Sequence, residues 1–440
     1  MRNVIRQKLA DSLAMDLPKL TRREARFPAI PGKAHAVIGM RRAGKSCFLK
    51  QCLGDRVEKG ISRDALVYFS FEDERLAGMQ TEQLSWVLEE YYLAHPQFRD
   101  RSEVTVCFDE IQVVPGWEAF IRRILDTERM EVFVSGSSAR MLSREIATGL
   151  RGRTTESVIF PFSFGEYLRH HGLEVPKNPA FVPKALRSQL EHAFGAYLER
   201  GGFPEAQGLE PRDRLSLLQS YVDTVIFRDV VERHHVTNVE ALRRLVRHLL
   251  GAPASNFSVH KFSNDLRSQG VAVGKDALHE MLSWLEDSFL VRLVPIDAAS
   301  ERKRQVNPRK VYPVDPGLIP AFDRSGQPNT GHTLETAVMI ELERRSCRVA
   351  YVKTPTGREV DFLAIDPEGN KTYIQVCSDL SAKETREREV RPLVEMLALR
   401  TQASLLLLPL TTTDVSIYQK EVPSGVTVKP AWEWLLERVE

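Results

Sequence analysis

The stretch GMRRAGKS spans Gly39 to Ser46 and has glycines at both ends of a six-residue frame, followed by a lysine and a hydroxyl residue. The strand-like run AHAVI precedes it and the helix-like run SCFLKQCL follows it. A glycine loop between a strand and a helix points successive backbone N–H groups and a helix N-terminus at one place, which suits phosphate groups. The spacing therefore predicts a phosphate-binding loop; a basic turn capped by glycine is the alternative.

Each residue type in this loop has an expected role. Gly39 and Gly44 permit the tight turn, Lys45 reaches the β- and γ-phosphate oxygens, and the Ser46 hydroxyl binds Mg²⁺. Because it contacts the phosphate that is transferred, Lys45 also counts among the predicted catalytic residues. The residues predicted to contact the nucleotide are Gly39, Arg42, Ala43, Gly44, Lys45, Ser46 and Cys47.

A second motif supplies the carboxylates that a phosphate-binding loop needs. The apolar strand VTVCFDE ends in Asp109, predicted to hold Mg²⁺ through water, and Glu110, predicted to activate the attacking water. The strand ALVYFSFE lies between the two motifs in sequence, which indicates an ATPase of the additional-strand class. In the next strand, VFVSGSSAR, a hydroxyl could contact the γ-phosphate or orient water. Ser137 is the candidate, beside Ser135 and Ser138, and a serine-rich turn is the alternative.

The order of strand-like and helix-like runs divides the chain into four predicted domains. In the first third, short runs that are apolar throughout alternate with helix-length segments, which predicts a doubly wound α/β domain with a parallel sheet. A helical stretch follows, then three short helices with a β-wing, which is the order of a winged helix, and finally a smaller α/β domain. The predicted boundaries are 1–165 for the ATPase core with its N-terminal helix, 166–235 for a helical lid or linker, 236–330 for the winged-helix-like domain and 331–440 for the last domain.

Composition narrows the class of protein. The 61 basic residues nearly balance the 59 acidic ones, so any basic surface that attracts nucleic acid must be local. The five cysteines include no CxxC pair, which argues against a zinc site or a disulfide framework and fits a reducing cytoplasm. The N-terminal segment lacks the unbroken apolar region of a signal peptide, and the longest apolar run, LLLLPL, is too short to span a bilayer. We therefore expect a cytoplasmic protein with no membrane partner.

Several further stretches extend the pattern along the chain. In chain order, with the two motifs above, they read GMRRAGKS, FEDERL, CFDEIQ, VSGSSARML, LRGRTTESVIFPFSFGEYL, GGFPEA and YVDTVIFRDVVER. Together they resemble the prokaryotic AAA-type ATPases that carry a C-terminal domain of uncharacterised function. The resemblance spans nearly the whole chain. It implies an AAA+ strand order, ATP as the ligand, and a C-terminal region made of a winged helix and a restriction-endonuclease-like fold.

The resemblance also implies an arginine finger. AAA-type proteins often place this arginine just before the fifth strand, where Arg151 and Arg153 lie. A planar, permanently charged guanidinium suits the charge that develops on a neighbouring subunit's γ-phosphate. Such a role requires a homo-oligomer, whereas an ordinary solvated basic turn requires none, and both interpretations stay open.

The predicted wing, ERKRQVNPRK, is locally basic. Its cationic residues, which are candidates for contact with the backbone of double-stranded DNA, are Arg302, Lys303, Arg304, Arg309 and Lys310. The predicted recognition helix, GKDALHEMLSWLEDS, carries Glu280, Glu286 and Asp287, which would repel phosphates. A winged helix that docks a protein partner is therefore the alternative.

The last domain contains the remnants of a nuclease site. A restriction-endonuclease-like core needs an acidic helix residue, an aspartate, and then an Asp/Glu-x-Lys tripeptide, so that carboxylates bind Mg²⁺ and the lysine supplies a positive charge. The corresponding residues are Glu335, Asp361, and then Gln375, Val376 and Cys377. Because a thiol cannot replace the charge of a lysine, we expect a degenerate site whose fold is retained and whose cleavage is lost.

The leading hypothesis is an Mg²⁺-dependent, ATP-binding and ATP-hydrolysing AAA-type protein whose C-terminal modules bind DNA or a protein partner. Two alternatives remain. An ATP-gated DNA nuclease would show Mg²⁺-dependent cleavage that is abolished by substitution of Asp361. A nucleotide-dependent interaction switch would bind nucleotide with little release of phosphate.

Overall fold

The computed structural model describes residues 1–28, 30–101, 104–136, 152–298, 300–323, 329–378, 383–399 and 402–437. The chain divides into two units, Met1–Ile159 and Phe160–Glu440, called here unit 1 and unit 2. Among the described residues, no helix is both long enough and apolar enough to cross a bilayer.

A five-stranded parallel sheet forms the centre of unit 1. Its strands are β1 (Ala34–Ile38), β2 (Leu66–Ser70), β3 (Val104–Asp109), β4 (Met130–Gly136) and β5 (Thr154–Val158), in the spatial order β2-β3-β4-β1-β5. Every residue of β1 and β3 is buried, as expected for strands covered on both faces. The predicted parallel α/β sheet is confirmed.

Strand β4 separates the strand that precedes the glycine loop from the strand that ends in carboxylates. Strand β2, which lies between the two motifs in sequence, is at the sheet edge beside β3. The register pairs Ser70 with Asp109 and Val37 with Ser135. Because parallel strands bring their carboxyl ends to one edge, the ends of β1, β2, β3 and β4 lie along the same side of the sheet.

The helices of unit 1 are α1 (Arg2–Ala14), α2 (Lys45–Glu58), α3 (Ser85–Ala94) and α4 (Trp117–Thr127). Helix α1 packs against α3 and β2, and its Arg2 and Arg6 side chains pair with the buried carboxylate of Glu90. Helix α2 buries Phe48 and Leu49 in an apolar cluster with residues of β1 and β3. This packing fixes the N-terminus of α2 beside the carboxyl end of β1.

Unit 2 begins with helices α5 (Phe164–His170), α6 (Lys184–Arg200) and α7 (Pro211–Thr224). Helix α7 continues into a π-helical segment (Val225–Val231) and a last α-helical turn (Glu232–His234). Ser163 and Glu166 form a reciprocal cap at the start of α5: each side chain accepts a hydrogen bond from the backbone N–H of the other residue.

Three helices and a small antiparallel sheet follow. The helices are α8 (Val239–Gly251), α9 (Val259–Ser268) and α10 (Lys275–Asp287), and the strands are β6 (Asn256–Phe257), β7 (Val291–Val294) and β8 (Arg309–Pro313), in the spatial order β6-β8-β7. Between β7 and β8, where the predicted wing lies, the chain forms helix α11 (Glu301–Val306) and not a simple loop. The Ser300 hydroxyl caps this helix by accepting a hydrogen bond from the Lys303 N–H at 3.2 Å.

The remainder of unit 2 is α/β. Its elements are α12 (Leu318–Phe322), α13 (Thr330–Arg344), β9 (Arg348–Lys353), β10 (Glu359–Ile365), β11 (Lys371–Cys377), α14 (Lys383–Ala398), β12 (Ser404–Pro409), α15 (Thr412–Glu421), β13 (Val426–Val428) and α16 (Ala431–Leu436). The sheet order is β13-β12-β11-β10-β9; β9 to β11 are antiparallel, and β11 to β13 are parallel. One apolar cluster contains Phe164, Tyr197, Tyr312 and Trp432, so it joins the first helices of the unit to its last α/β part, and a second cluster contains residues of β11, α14 and β12. The four-domain division stays a prediction.

Candidate active site

The glycine loop joins the end of β1 to the start of α2 and requires glycine at two positions. Gly39 and Gly44 have φ angles of 146° and 101°, in the region that favours glycine. A Cβ atom on Gly39 would lie 2.2 Å from the Ile159 carbonyl oxygen, so a side chain there would collide with the backbone that follows β5. The loop backbone is therefore closely fitted to the edge of the sheet.

The Lys45 ammonium is held inside this loop. Its Nζ atom donates to the carbonyl oxygens of Gly39 at 3.1 Å and Met40 at 3.2 Å. The Glu110 Oε1 atom lies 3.8 Å from the same nitrogen. Only 5% of the Lys45 side chain is exposed, which places a buried positive charge at the carboxyl edge of the sheet.

Asp109 ends β3 and is held by two hydroxyl donors. Ser135 of β4 donates to one of its carboxylate oxygens, and Tyr68 of β2 donates to the other. The Ser135 oxygen also accepts a hydrogen bond from the Glu110 N–H at 3.0 Å. Three neighbouring strands thus fix the orientation of this carboxylate.

Glu110 has a backbone conformation that is costly for a residue with a side chain. Its φ and ψ angles of 54° and 41° are left-handed, and the residue is 8% exposed. Its carboxylate accepts a hydrogen bond from the Gln112 amide and faces Lys45. Strain of this kind clusters at functional sites, and here it turns the Glu110 side chain towards the loop.

Two residues of this site were missed from the sequence. Tyr68 donates a hydrogen bond to the Asp109 carboxylate. Burial, and then the charge of Asp109, raise the pKa of the Tyr68 phenol, so that it stays protonated. Arg23, which is buried, donates to the Ala43 carbonyl oxygen at 2.9 Å and so braces the loop. The sequence could have pointed to Tyr68, because a hydroxyl-bearing ring stands out in an otherwise apolar strand. Nothing in the sequence points to Arg23, because it lies in a stretch with no periodic pattern.

Comparisons with known proteins agree with this geometry. A sequence model described as "AAA domain" matches residues 31–168. A Methanocaldococcus jannaschii protein named "Uncharacterized protein MJ1544" is 30% identical over 426 residues, which cover 95% of this chain and 91% of the relative. The chain belongs to the AAA-type ATPase family. An uncharacterized protein of Haemophilus influenzae is 28% identical, with coverage of 78% of this chain and 82% of the relative.

Two further matches are less informative. A model described as "Domain of unknown function (DUF8612)" matches residues 191–329, and it supports neither a winged helix nor a nuclease-like fold. Among solved structures, the Walker-type ATPase paby2304 of Pyrococcus abyssi is 16% identical, with coverage of 73% of this chain and 95% of that chain. Its TM-score of 0.41 is too low to carry an argument.

The other predicted residues of the AAA domain are placed less centrally. Arg42 and Cys47 are exposed. The carbonyl of Arg153 accepts a hydrogen bond from the Ala34 N–H at the first residue of β1, about 16 Å from the opposite end of this strand, where the loop begins. The Arg153 guanidinium pairs with the Asp126 carboxylate, so it is not part of the site that its own chain forms. Ser137, Ser138 and Arg151 lie outside the described residues.

In the C-terminal unit of this AAA-type protein, the structure brings Glu335 of α13 and Asp361 of β10 together around Lys310. The Lys310 Nζ atom lies 2.9 Å from Glu335, 2.8 Å from Glu359 and 3.3 Å from Asp361. Tyr312 donates to Glu335 at 2.7 Å. The prediction that Lys310 contacts DNA is wrong, because this β8 side chain is buried among carboxylates.

These contacts change the charge states of the C-terminal cluster. Burial alone would lower the pKa of Lys310, but the carboxylates of Asp361, Glu335 and Glu359 outweigh it and raise that pKa. Burial, and then the Glu335 charge, raise the pKa of Asp361 against the opposing effect of Lys310. The lysine is therefore a permanent cation between carboxylates.

Gln375 and Cys377 of β11 differ in their relation to this cluster. The Gln375 side-chain oxygen accepts a hydrogen bond from the Asp361 N–H at 3.4 Å, and its amide donates to Glu389. The Cys377 thiol instead lies 4.0 Å from the Tyr418 hydroxyl, in an apolar cluster with residues of α14 and β12. Among the described residues, no group of three or more His, Cys, Asp or Glu side chains could hold a metal ion.

Proposed function

We propose that the AAA domain binds Mg²⁺·ATP at the glycine loop and hydrolyses it. The observation that supports this most is the 3.8 Å approach of Lys45 to Glu110, because it brings together a loop cation and a carboxylate that come from two separate motifs. An ATP-binding loop and a water-activating carboxylate must meet in this way for the terminal phosphate to be hydrolysed.

The residues present fit a nucleotide phosphate and a divalent cation. The loop has no room for a side chain at Gly39, so its backbone is available to phosphate oxygens at the N-terminus of α2. Ser46 and Asp109 supply the oxygen ligands that Mg²⁺ prefers. When bound there, Mg²⁺ neutralises charge on the phosphates.

Glu110 is proposed as the general base of the hydrolysis. Its carboxylate accepts a proton from the attacking water, whose oxygen forms a bond to the γ-phosphorus while the bond from that phosphorus to the bridging oxygen breaks. Lys45 stabilises the negative charge on the transferred phosphoryl group. Ser135 holds Asp109 and the Glu110 backbone in fixed positions.

The direct test is nucleotide affinity in Lys45→Ala. We expect affinity for Mg²⁺·ATP, measured by calorimetry, to fall about 100-fold, because a buried charge-assisted contact is lost. Lys59→Ala, which removes an exposed lysine that follows α2, is the matched control and should bind normally. Unchanged affinity and turnover in Lys45→Ala would reject the proposal. Binding without phosphate release in the wild type would favour the interaction switch.

A second proposal concerns the C-terminal modules. The order α8-β6-α9-α10-β7-β8 supports a winged helix, and three adjacent exposed cations on α11, namely Arg302, Lys303 and Arg304, favour double-stranded DNA as its partner. Arg309 is half-buried. We expect replacement of the three exposed cations by serine to make the plot of log affinity for DNA against log salt concentration less steep. Its slope should fall in magnitude by about 1 for each phosphate contact that is lost. DNA binding that does not change in this variant would reject contact through these cations, and a wild type that does not bind DNA would favour a protein partner.

The nuclease-like assignment is also a proposal. The order α13-β9-β10-β11-α14-β12 supports it, while Lys310 neutralises the carboxylates that a metal ion would need. We expect no Mg²⁺-dependent cleavage of linear, supercoiled or single-stranded DNA. Cleavage by the wild type that is lost in Asp361→Ala and retained in Lys45→Ala would overturn this expectation.

The proposed setting is a cytoplasmic homo-oligomer. Its support is the position of Arg153, which lies away from the nucleotide loop of its own chain and would need a second subunit to reach one. Measurement of the subunit count in the presence of Mg²⁺·ATP tests it, and a monomer at all concentrations would reject it.

A further inference from the structure

Tyr68 contacts Asp109, one of the two residues that are proposed to hold Mg²⁺. Its hydroxyl donates a hydrogen bond to one oxygen of the Asp109 carboxylate, and Ser135 donates to the other. Asp109 ends β3, whereas Tyr68 lies on the neighbouring strand β2. A residue of a separate strand therefore holds one oxygen of this carboxylate.

The chemistry of the two groups fixes the direction of this hydrogen bond. A phenol has one proton to donate, and an ionised carboxylate can only accept. The Tyr68 proton is therefore directed at Asp109, and the remaining lone pairs of that carboxylate are left for a cation.

Tyr68 is itself held by contacts outside this pair. Its backbone N–H donates to the Ser12 hydroxyl at 3.1 Å, and the Lys50 ammonium lies 5.2 Å from the centre of its ring. Strand pairing places it opposite Cys107 of β3. A side chain that is fixed independently can orient the ligands that it contacts.

We propose that Tyr68 is a positioning residue that sets the affinity of the nucleotide complex for Mg²⁺ by orienting Asp109. This inference rests on the proposed function of the loop. If the hydroxyl has this role, its removal weakens the metal-dependent part of nucleotide binding and leaves the metal-independent part unchanged. A tyrosine that only packs through its ring would not produce this difference.

The test is the Mg²⁺ dependence of nucleotide affinity in Tyr68→Phe, which keeps the ring. Calorimetry of the full chain with a non-hydrolysable ATP analogue, in EDTA and over a series of Mg²⁺ concentrations, separates the two parts without any measurement of turnover. We expect the Mg²⁺ concentration for half-maximal enhancement to rise about tenfold, the lower end of the loss seen when an outer-shell partner of a metal ligand is removed. Affinity in EDTA should equal that of the wild type.

Tyr91→Phe is the matched control. This buried tyrosine of α3 donates to the Asp64 carbonyl oxygen at 2.9 Å and does not contact Ser46 or Asp109 in the described structure, so its Mg²⁺ dependence should match the wild type. The inference would be overturned if Tyr68→Phe had an unchanged Mg²⁺ dependence, or if it lost affinity equally with and without Mg²⁺. The proposed function would survive either result as long as the wild type binds the nucleotide. Failure of the wild type to bind the analogue would instead reject both.

A second variant separates orientation from a general loss of stability. If Tyr68 acts through Asp109, then Tyr68→Phe should add little to the rise in Mg²⁺ requirement that Asp109→Ala already causes. Fully additive effects of the two substitutions would overturn the inference.

Discussion

Lys45 in unit 1 and Lys310 in unit 2 are both buried, with 5% and 4% of their side chains exposed, but they differ in what surrounds them. The ammonium of Lys45 is held by two neutral backbone carbonyls, and its nearest carboxylate is 3.8 Å away. The ammonium of Lys310 lies within 3.3 Å of three carboxylates. The same residue type is therefore placed in two different electrostatic settings.

The difference bears on what each lysine can bind. A buried cation that is only partly neutralised retains a strong field in a medium of low dielectric constant, and that field can act on an anionic ligand. A cation surrounded by carboxylates is neutralised by them and has little field left for a ligand. Such a cluster stabilises the fold only while the cation and its carboxylates are all present. Burial of a lysine therefore does not by itself indicate a ligand site. The groups that surround the ammonium determine whether it can bind an anionic ligand.

The sharpest test of the Lys45 setting is Glu110→Gln. If Glu110 is the base, turnover should fall by about 10²- to 10⁴-fold because the amide cannot accept the proton, while Mg²⁺·ATP affinity stays near that of the wild type. Single-turnover hydrolysis and calorimetry measure the two quantities separately. Glu58→Gln, at an exposed position of α2, is the control. Wild-type turnover in Glu110→Gln would mean that the Lys45–Glu110 approach is structural, as the contacts of Lys310 are.

The corresponding test of unit 2 is Lys310→Met. Removal of the ammonium leaves buried carboxylates without their counter-ion, so the free energy of unfolding should fall by about 3–5 kcal/mol. Because carboxylates raise the pKa of Lys310 above its unfolded value, its contribution is fully present at neutral pH and is lost only when the pH rises through the pKa of the folded state.

Denaturant unfolding of the full chain measures this loss, with the exposed Lys303→Met as the control. Nucleotide affinity should not change, since Lys310 belongs to unit 2. A loss below about 0.5 kcal/mol would show that the cluster is not a stabilising network, and the contrast between the two lysines would fail.

The smallest expected effect concerns Arg153, a surface cation whose carboxylate partner among the described residues is Asp126. Because exposed pairs contribute about 0.2–1 kcal/mol, Arg153→Ala should barely change the stability of the chain. If Arg153 acts on a neighbouring subunit, mixing this variant with wild type should lower specific activity more than in proportion to its fraction. The exposed Arg129→Ala is the control. Strictly proportional activity in the mixtures would show that Arg153 does not cross an interface.

The parts of the fold that depend on local pattern could be predicted from the sequence. Continuous apolar runs gave the strands of unit 1, and the loop between β1 and α2 follows from glycine spacing. The position of Asp109 and Glu110 at the end of β3 follows from the end of an apolar run. The helix α11 was also predictable in principle, because Ser300 precedes a run of helix-forming residues, although the basic charge of this run is equally typical of a wing.

The parts that depend on strand order could not be predicted from local pattern, and only the family resemblance implied an order. Tyr68 reaches Asp109 because β2 lies beside β3, and several sheet orders are compatible with the pattern of the strands alone. Lys310 was assigned to the surface because its neighbours in sequence are basic, whereas the alternation of side chains along β8 turns it inward. In both cases a contact between distant segments decides the role of the residue.

The apolar cluster that joins Phe164 to Trp432 has a consequence for synthesis of the protein on the ribosome. All the strands of unit 1 are complete by Ile159, so that unit can fold while the rest of the chain is still being made. Unit 2 cannot close its core until Trp432 is made, which at about 5–20 residues per second takes roughly 15–55 s after Ile159. During that interval its apolar helices are exposed, and this nascent segment is the part of the chain with most need of a chaperone.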